Sequence, residues 1–222
     1  MKNTNDIIEY NKKLIDKYPW LIPRYVWSGE IVEDYDYTWH ELNGMGEGWW
    51  KAFGEMLCEE IQIELERCEC VNEFRIMQCK EKFAELRIYT GGLPIDCKVG
   101  EIIDKYSVLS EHICYMCGKP DVPVTNTGWW LPLCKECFST PDDYYQKRHT
   151  KEEIKNWTED RSKKWEEICK EEDYKMPDTY TIRRWSKEKD EETIIYNISE
   201  TATKIRARYK NEKPKGNKND IS

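Results

Sequence analysis

The chain has 222 residues, 39% of them hydrophobic, and sets 35 Lys and Arg against 43 Asp and Glu for a net charge of −8. That apolar share is low for one compact core of this length, so a core with extensions is expected. No run of about eighteen apolar residues exists and the first residues (MKNTNDIIEYNKK) lack an apolar signal stretch, so a soluble, cytoplasmic protein without membrane contact is expected.

Ile7, Ile8, Leu14, Ile15 and Tyr18 recur at helical spacing, which predicts an amphipathic helix over residues 4–17 that stops before Pro19. In the next stretch, YPWLIPRYVW, Pro19 and Pro23 forbid a regular helix, which predicts an extended strap with Trp20, Leu21, Ile22 and Trp27 buried. Gly44, Gly46 and Gly48 read as a loop. Trp50, Phe53, Leu57, Ile61 and Leu65 then predict a helix over 48–67 with Glu55, Glu59, Glu60, Glu64 and Glu66 on its other face. Residues 28–70 hold twelve acidic and two basic side chains, a local balance of −10. Residues 73–90 fit a hairpin turning at Lys80-Glu81-Lys82 and closed by Gly91, Gly92 and Pro94. Val99, Ile102, Ile103, Tyr106, Leu109 and Ile113 outline a further helix.

That helix leads into Cys114, Cys117, Cys134 and Cys137, two C-x2-C pairs separated by sixteen residues. Two residues between paired cysteines let a tight turn aim both thiolates at one ion, and a short hairpin in the gap returns the second pair to complete a tetrahedron. Gly118 suits the turn under the metal, and Trp129, Trp130 and Leu131 supply a cover. The motif predicts a zinc ribbon holding one structural Zn2+, with no open position for catalysis. The other six cysteines (Cys58, Cys68, Cys70, Cys79, Cys97 and Cys169) lack the spacing of a disulfide framework. Cys68 and Cys70 flank one residue and can join a second site, although isolated cysteines more often serve as small buried apolar residues.

Beyond Pro141, Thr150 and Glu153 form a capping box for a helix carrying Ile154, Trp157, Trp165 and Ile168. TYTIRRWSKEKDEETIIYNIS reads as two strands around Lys187-Glu188-Lys189-Asp190, followed by a short basic helix up to Arg208. From Lys204 to Lys218 seven basic residues face Glu212 alone, and this end is expected to be a disordered basic tail. The fold class expected is α+β: a small helix and hairpin core (1–112), a four-cysteine zinc ribbon (113–138), a helix and hairpin extension (139–203) and the tail (204–222).

YPWLIPR at 18–24, EDYDYTWHEL at 33–42, GWWKAFGE at 48–55, EKFAELRIY at 81–89 and CYMCGKP together resemble a family of small zinc-ribbon proteins encoded by tailed phages and prophages. The resemblance covers roughly residues 15–138 and implies a phage-type origin and an α+β core with a zinc ribbon, without implying an activity. The chain departs from that pattern at Ala84-Glu85, where a Gly-Gly pair is usual, and residues 139–222 extend beyond the usual end.

Four functions follow from these residues. An acidic, aromatic-rich surface including Asp34, Asp36, Trp39, Trp49, Trp50, Arg75 and Arg87 suits a protein partner, a binding function without catalysis. Lys204, Arg206, Arg208 and Lys210 can contact nucleic acid, although a −10 patch repels a polyanion. Trp39, Trp49, Trp50, Trp129 and Trp130 with Arg24, Arg75 and Arg87 can stack and clamp a nucleotide. Asp34 and Asp36, with His40, Glu41 and Glu55 or Glu59, can hold Mg2+ or Mn2+ for a hydrolase; the alternative reading makes both aspartates solvated turn residues. The first reading is preferred, because no P-loop, G-x-S-x-G or Rossmann pattern accompanies the acids.

Overall fold

The computed structural model describes residues 3–126, 128–140, 143–170, 174–184 and 191–212. It is an α+β protein of helices and two-stranded antiparallel hairpins. The chain divides into two compact units, Met1–Gly46 with Phe53–Ser107, and Glu47–Ala52 with Val108–Ser222. Among the described residues no helix is long and apolar enough to cross a membrane.

In the first unit, α1 (Thr4–Lys17) is capped by Asn3, whose side chain accepts from the Asn5 amide, and it buries Leu14 and Ile15. Pro19 then starts a single 3-10 turn (Pro19–Leu21) that buries Trp20 and Leu21. Trp20 donates to Gln62 at 2.9 Å and meets the Phe74 ring edge-on. The expected strap is corrected beyond this point. Residues 25–29 fold back on themselves, with the Gly29 amide donating to the Tyr25 carbonyl and the Tyr25 amide to that of Glu30. Gly29 supplies the left-handed φ of +74° that this reversal requires. Trp27 therefore stands 96% exposed at the bend, where burial was expected.

His40, 5% exposed, accepts the Leu42 amide on Nδ1, and burial holds its imidazole down to about 4. The unfolded chain takes up that proton near pH 6.5 and the folded chain does so near pH 4. The contribution of His40 to stability is therefore complete well above pH 6.5 and is lost as the pH falls toward 4, by about 3 kcal/mol at the acid end. His40→Gln is expected to remove this portion of the acid sensitivity, read as the difference between variant and wild type in urea unfolding at several pH values.

The single helix predicted over 48–67 resolves into α2 (Glu47–Trp49), a π-helical turn (Trp50–Gly54) and α3 (Glu55–Arg67). The helix therefore opens at Glu47, one residue before the expected start, and takes in Gly48, which was also read with the preceding loop. Phe53, Leu57, Ile61 and Leu65 are fully buried, and Trp49 is buried in place of the expected Trp50. Much of the acidic face of α3 is engaged: Glu59 with Lys17 and Tyr18, Glu60 with Lys105 and Tyr106, and Glu64 with Arg67. Strands β1 (Arg75–Lys82) and β2 (Glu85–Gly91) pair antiparallel to the Lys82–Glu85 rung. The turn thus falls at Phe83-Ala84, with φ of +55° and +71°, and not at 80–82. A two-residue loop with both φ positive matches the right-handed twist of the strands, and Glu81 ties it by accepting the Ala84 amide. Helix α4 (Val99–Ser110) buries Val99, Ile103, Tyr106 and Leu109, and the Tyr106 ring stacks on Phe53 at 5.3 Å.

In the second unit, β3 (Val124–Asn126) pairs with β4 (Trp130–Pro132), followed by α5 (Lys135–Ser139), α6 (Asp143–Arg148) and α7 (Lys151–Cys169). The predicted capping box is present at Thr150 and Glu153. β5 (Thr179–Arg184) pairs with β6 (Glu192–Asn197), while the turn predicted at Lys187 to Asp190 lies outside the described residues. Helix α8 (Ser199–Glu212) buries Thr201, Ala202 and Ile205. The disordered tail expected from Lys204 is therefore corrected over 204–212, because Ile205 anchors that stretch as helix; residues 213–222 lie outside the described residues.

Candidate metal centre

Cys114, Cys117, Cys134 and Cys137 lie with their sulfurs all within 4.8 Å of one another. Metal–thiolate bonds of about 2.3 Å in a tetrahedron place sulfurs about 3.8 Å apart. Cys117 and Cys134 Sγ stand 3.6 Å apart, so the four residues fit a metal ion with no large rearrangement. The first pair sits on a tight turn. The Gly118 amide donates to the Cys114 carbonyl, the Cys114 amide to that of Lys119, and Gly118 takes a φ of +79°. The β3–β4 hairpin then returns the chain, with the Tyr115 amide donating to the Pro132 carbonyl. The second pair lies at the start of α5, where Cys134 is the N-cap and accepts the Cys137 amide on Sγ at 3.5 Å. The module is thus turn, hairpin and helix.

Hydrogen bonding from Cys117, Cys134 and Cys137 holds the Cys114 thiol well below the usual thiol range. Cys114 and Cys134 belong to a buried cluster with Val122, Leu133 and Phe138, against which Trp165 and Ile168 of α7 pack. Four protein ligands fill a tetrahedral shell, so the centre can hold structure and offers no vacant position to a substrate.

The shell around the sulfurs is built by residues that the spacing alone does not reveal. The Gly48 amide donates to the Tyr115 carbonyl at 2.9 Å, and Trp49 Nε1 donates to the Ile113 carbonyl at 2.8 Å. The Trp49 ring meets Tyr115 edge-on at 5.1 Å. Trp49, expected on a partner surface, is thus an internal support of the cysteine turn. On the other side, Arg161 donates to the Phe138 carbonyl and lies over the Phe138 and Trp157 rings, and Trp165 donates to the Leu133 carbonyl. Burial, followed by the Cys117 sulfur, pushes the Tyr209 phenol up to about 12. Helix α7, through Arg161 and Trp165, therefore packs onto the cysteine module, and Tyr209 of α8 lies near its sulfurs.

Arg206, read as a nucleic-acid contact, makes a two-pronged ion pair with Asp121 at 2.9 and 3.0 Å and also donates to the Met176 carbonyl. Arg208 pairs with Glu212 and Lys204 with Glu200, while Lys210 is exposed. The basic residues are thus largely committed to intrachain partners. Asp36 accepts both the Thr38 amide and hydroxyl, Asp34 is exposed with a left-handed φ of +54°, and Glu41 accepts the Arg24 amide. These acids form no metal-ligand group among the described residues; they act as turn residues. Tyr35, Tyr37 and Trp39 form their own aromatic cluster, Trp39 being 40% exposed. Arg75 has a buried Nε, Arg87 pairs with Glu85, and Trp50 is half-buried. Trp129 and Trp130 are exposed; Trp130 also lines a cavity of about 500 Å3 with Glu111, His112, Val124 and Tyr174. The residues proposed for a nucleotide clamp divide between the two units, with Trp49 buried.

A four-cysteine module carried in an α+β framework is the class that fold and site define. Comparison with family models, curated proteins and solved structures returns no match.

Proposed function

We propose that the protein is a zinc-stabilised, phage-type binding protein that acts on a macromolecular partner without catalysis. Zinc suits four thiolates in a tetrahedral, closed shell, and such a site supplies folding energy in place of a reaction centre. The observation that carries the binding reading is the bend at residues 25–31. Trp27 is 96% exposed there, with Tyr25, Val26 and Ile31 exposed beside it and Glu30, Glu33, Asp34 and Asp36 exposed in the same stretch. A nearly bare indole among apolar neighbours, rimmed by carboxylates, is the composition of an interface anchor for a basic protein: the aromatic supplies affinity and the acids speed the encounter.

The test is affinity capture with the full chain from extract of the cell that makes it, comparing wild type with Trp27→Ala at low and high salt. A stoichiometric protein partner bound at least tenfold more weakly by Trp27→Ala, and weakened by salt, is expected. Partners held equally by both chains would overturn this surface, and recovery of nucleic acid alone would move the function to the basic residues of α8.

A further inference from the structure

A second group of sulfurs assembles in the first unit, where no C-x2-C pair announces it: Cys68, Cys70 and Cys97 lie within 4.8 Å of one another. Cys68 and Cys70 sit at the C-terminal end of α3, where the Cys68 amide donates to the Glu64 carbonyl and the Cys70 amide to the Leu65 carbonyl. Glu69 between them adopts a left-handed φ of +55°, which reverses the chain and lets the sulfurs on either side face one point. Cys97 arrives from 27 residues further along, ahead of α4.

Its arrival does not depend on the thiols. Glu64, 9% exposed, accepts the Lys98 amide at 2.6 Å, and Arg67 donates to the Asp96 carbonyl at 3.1 Å, so both neighbours of Cys97 are tied to α3. Arg67 in turn holds Glu64 through two hydrogen bonds of 2.7 and 2.8 Å. The clamp is complete without any sulfur, and the three sulfurs converge as its consequence. Arg67 also places Nη2 3.1 Å from Cys68 Sγ, a positive charge beside a prospective thiolate.

We propose that Cys68, Cys70 and Cys97 form a second metal site, a three-thiolate seat for a soft divalent ion of the zinc class whose fourth position is open to water or to a donor from another molecule. Three thiolates around a divalent ion leave one net negative charge, which Arg67 offsets. Glu64 places Oε1 3.6 Å from Cys68 Sγ, but its oxygens already accept from Arg67 and Lys98, so it positions the site and does not complete the shell. Three protein ligands with one position vacant is the arrangement of exchangeable and catalytic zinc, in contrast to a closed four-thiolate centre. The proposal does not rest on the binding function argued above.

The test refills the full-length, metal-stripped and reduced chain with Zn2+ alone and counts ions per chain by native mass spectrometry. Wild type is expected to take two, Cys97→Ala one, Cys117→Ser one and the double variant none; Cys70→Ser is a second route to removing the triad if Cys97→Ala misfolds. One of the two ions is expected to pass rapidly to a chromophoric chelator, since an open position admits the competitor, and this fast phase is absent from Cys97→Ala. Wild type holding a single ion, or Cys97→Ala and Cys70→Ser still holding two, would each overturn the assignment. Loss of an ion in Cys117→Ser with the fast phase intact separates this site from the four-cysteine centre.

Discussion

Cys117→Ser is expected to remove one tightly held metal ion per chain and to unfold the module that carries it. The zinc proposed for this centre contributes on the order of 10–16 kcal/mol to folding, comparable to or larger than the whole stability of a typical domain. The sulfurs are the common contact of the turn, the hairpin and α5, and Trp165 and Ile168 pack against the same cluster. Loss of the ion therefore frees α7 as well as the ligand loops. Amide exchange at Tyr115, Gly118 and Phe138, whose hydrogen bonds define the module, is expected to accelerate by orders of magnitude. Chelation of the wild-type chain should reproduce that pattern. A variant that keeps its metal content and its melting temperature would remove the assignment.

Gly48→Ala carries the second large effect, although Gly48 ligates nothing. A Cβ at this position would stand 2.3 Å from the Cys114 carbonyl oxygen, 2.5 Å from the Gly118 nitrogen and 2.7 Å from the Cys117 nitrogen. All three are backbone atoms of the cysteine turn, so no side chain can swing aside. Helix and turn must separate, at an expected cost of about 3 kcal/mol or more, and the ion should be given up to a chelator more readily than in wild type. Gly100→Ala is the control of opposite sign. Gly100 lies in α4 with nothing within 4 Å of the added methyl, so the substitution should stabilise the helix by up to about 1 kcal/mol. Equal effects of the two substitutions would show that the close approach at Gly48 is unimportant.

What could be read in the chain follows the range of the forces involved. The four cysteines of the module, the helix over 4–17, the capping box at Thr150 and the paired strands at 179–197 are local signals, and the structure contains each of them. The Phe83-Ala84 turn escaped because neither residue advertises a positive φ; strand register sets it. Trp49 and Trp50 have the same side chain one residue apart, and only the π-helical turn and the contact with Ile113 decide which is buried. Arg206 looks basic and free in sequence because its partner, Asp121, lies 85 residues away. Cys97 was likewise separated from Cys68 and Cys70 by the hairpin, and the clamp of Glu64 and Arg67 that unites them is written in residues with no metal-ligand signature.

The discontinuity of the second unit has a consequence for biosynthesis. Gly48 and Trp49 leave the ribosome long before Cys137, and at 5–20 residues per second the wait is roughly 4 to 18 seconds. During that interval the indole has no finished turn to support and must be sheltered some other way, by transient burial or by a chaperone. The nascent chain gains its fourth sulfur only with Cys137, and Arg206, which locks α8 to Asp121, emerges later still. Slow elongation therefore lengthens the most vulnerable stage in the life of this polypeptide, which lies between the synthesis of Trp49 and that of Cys137.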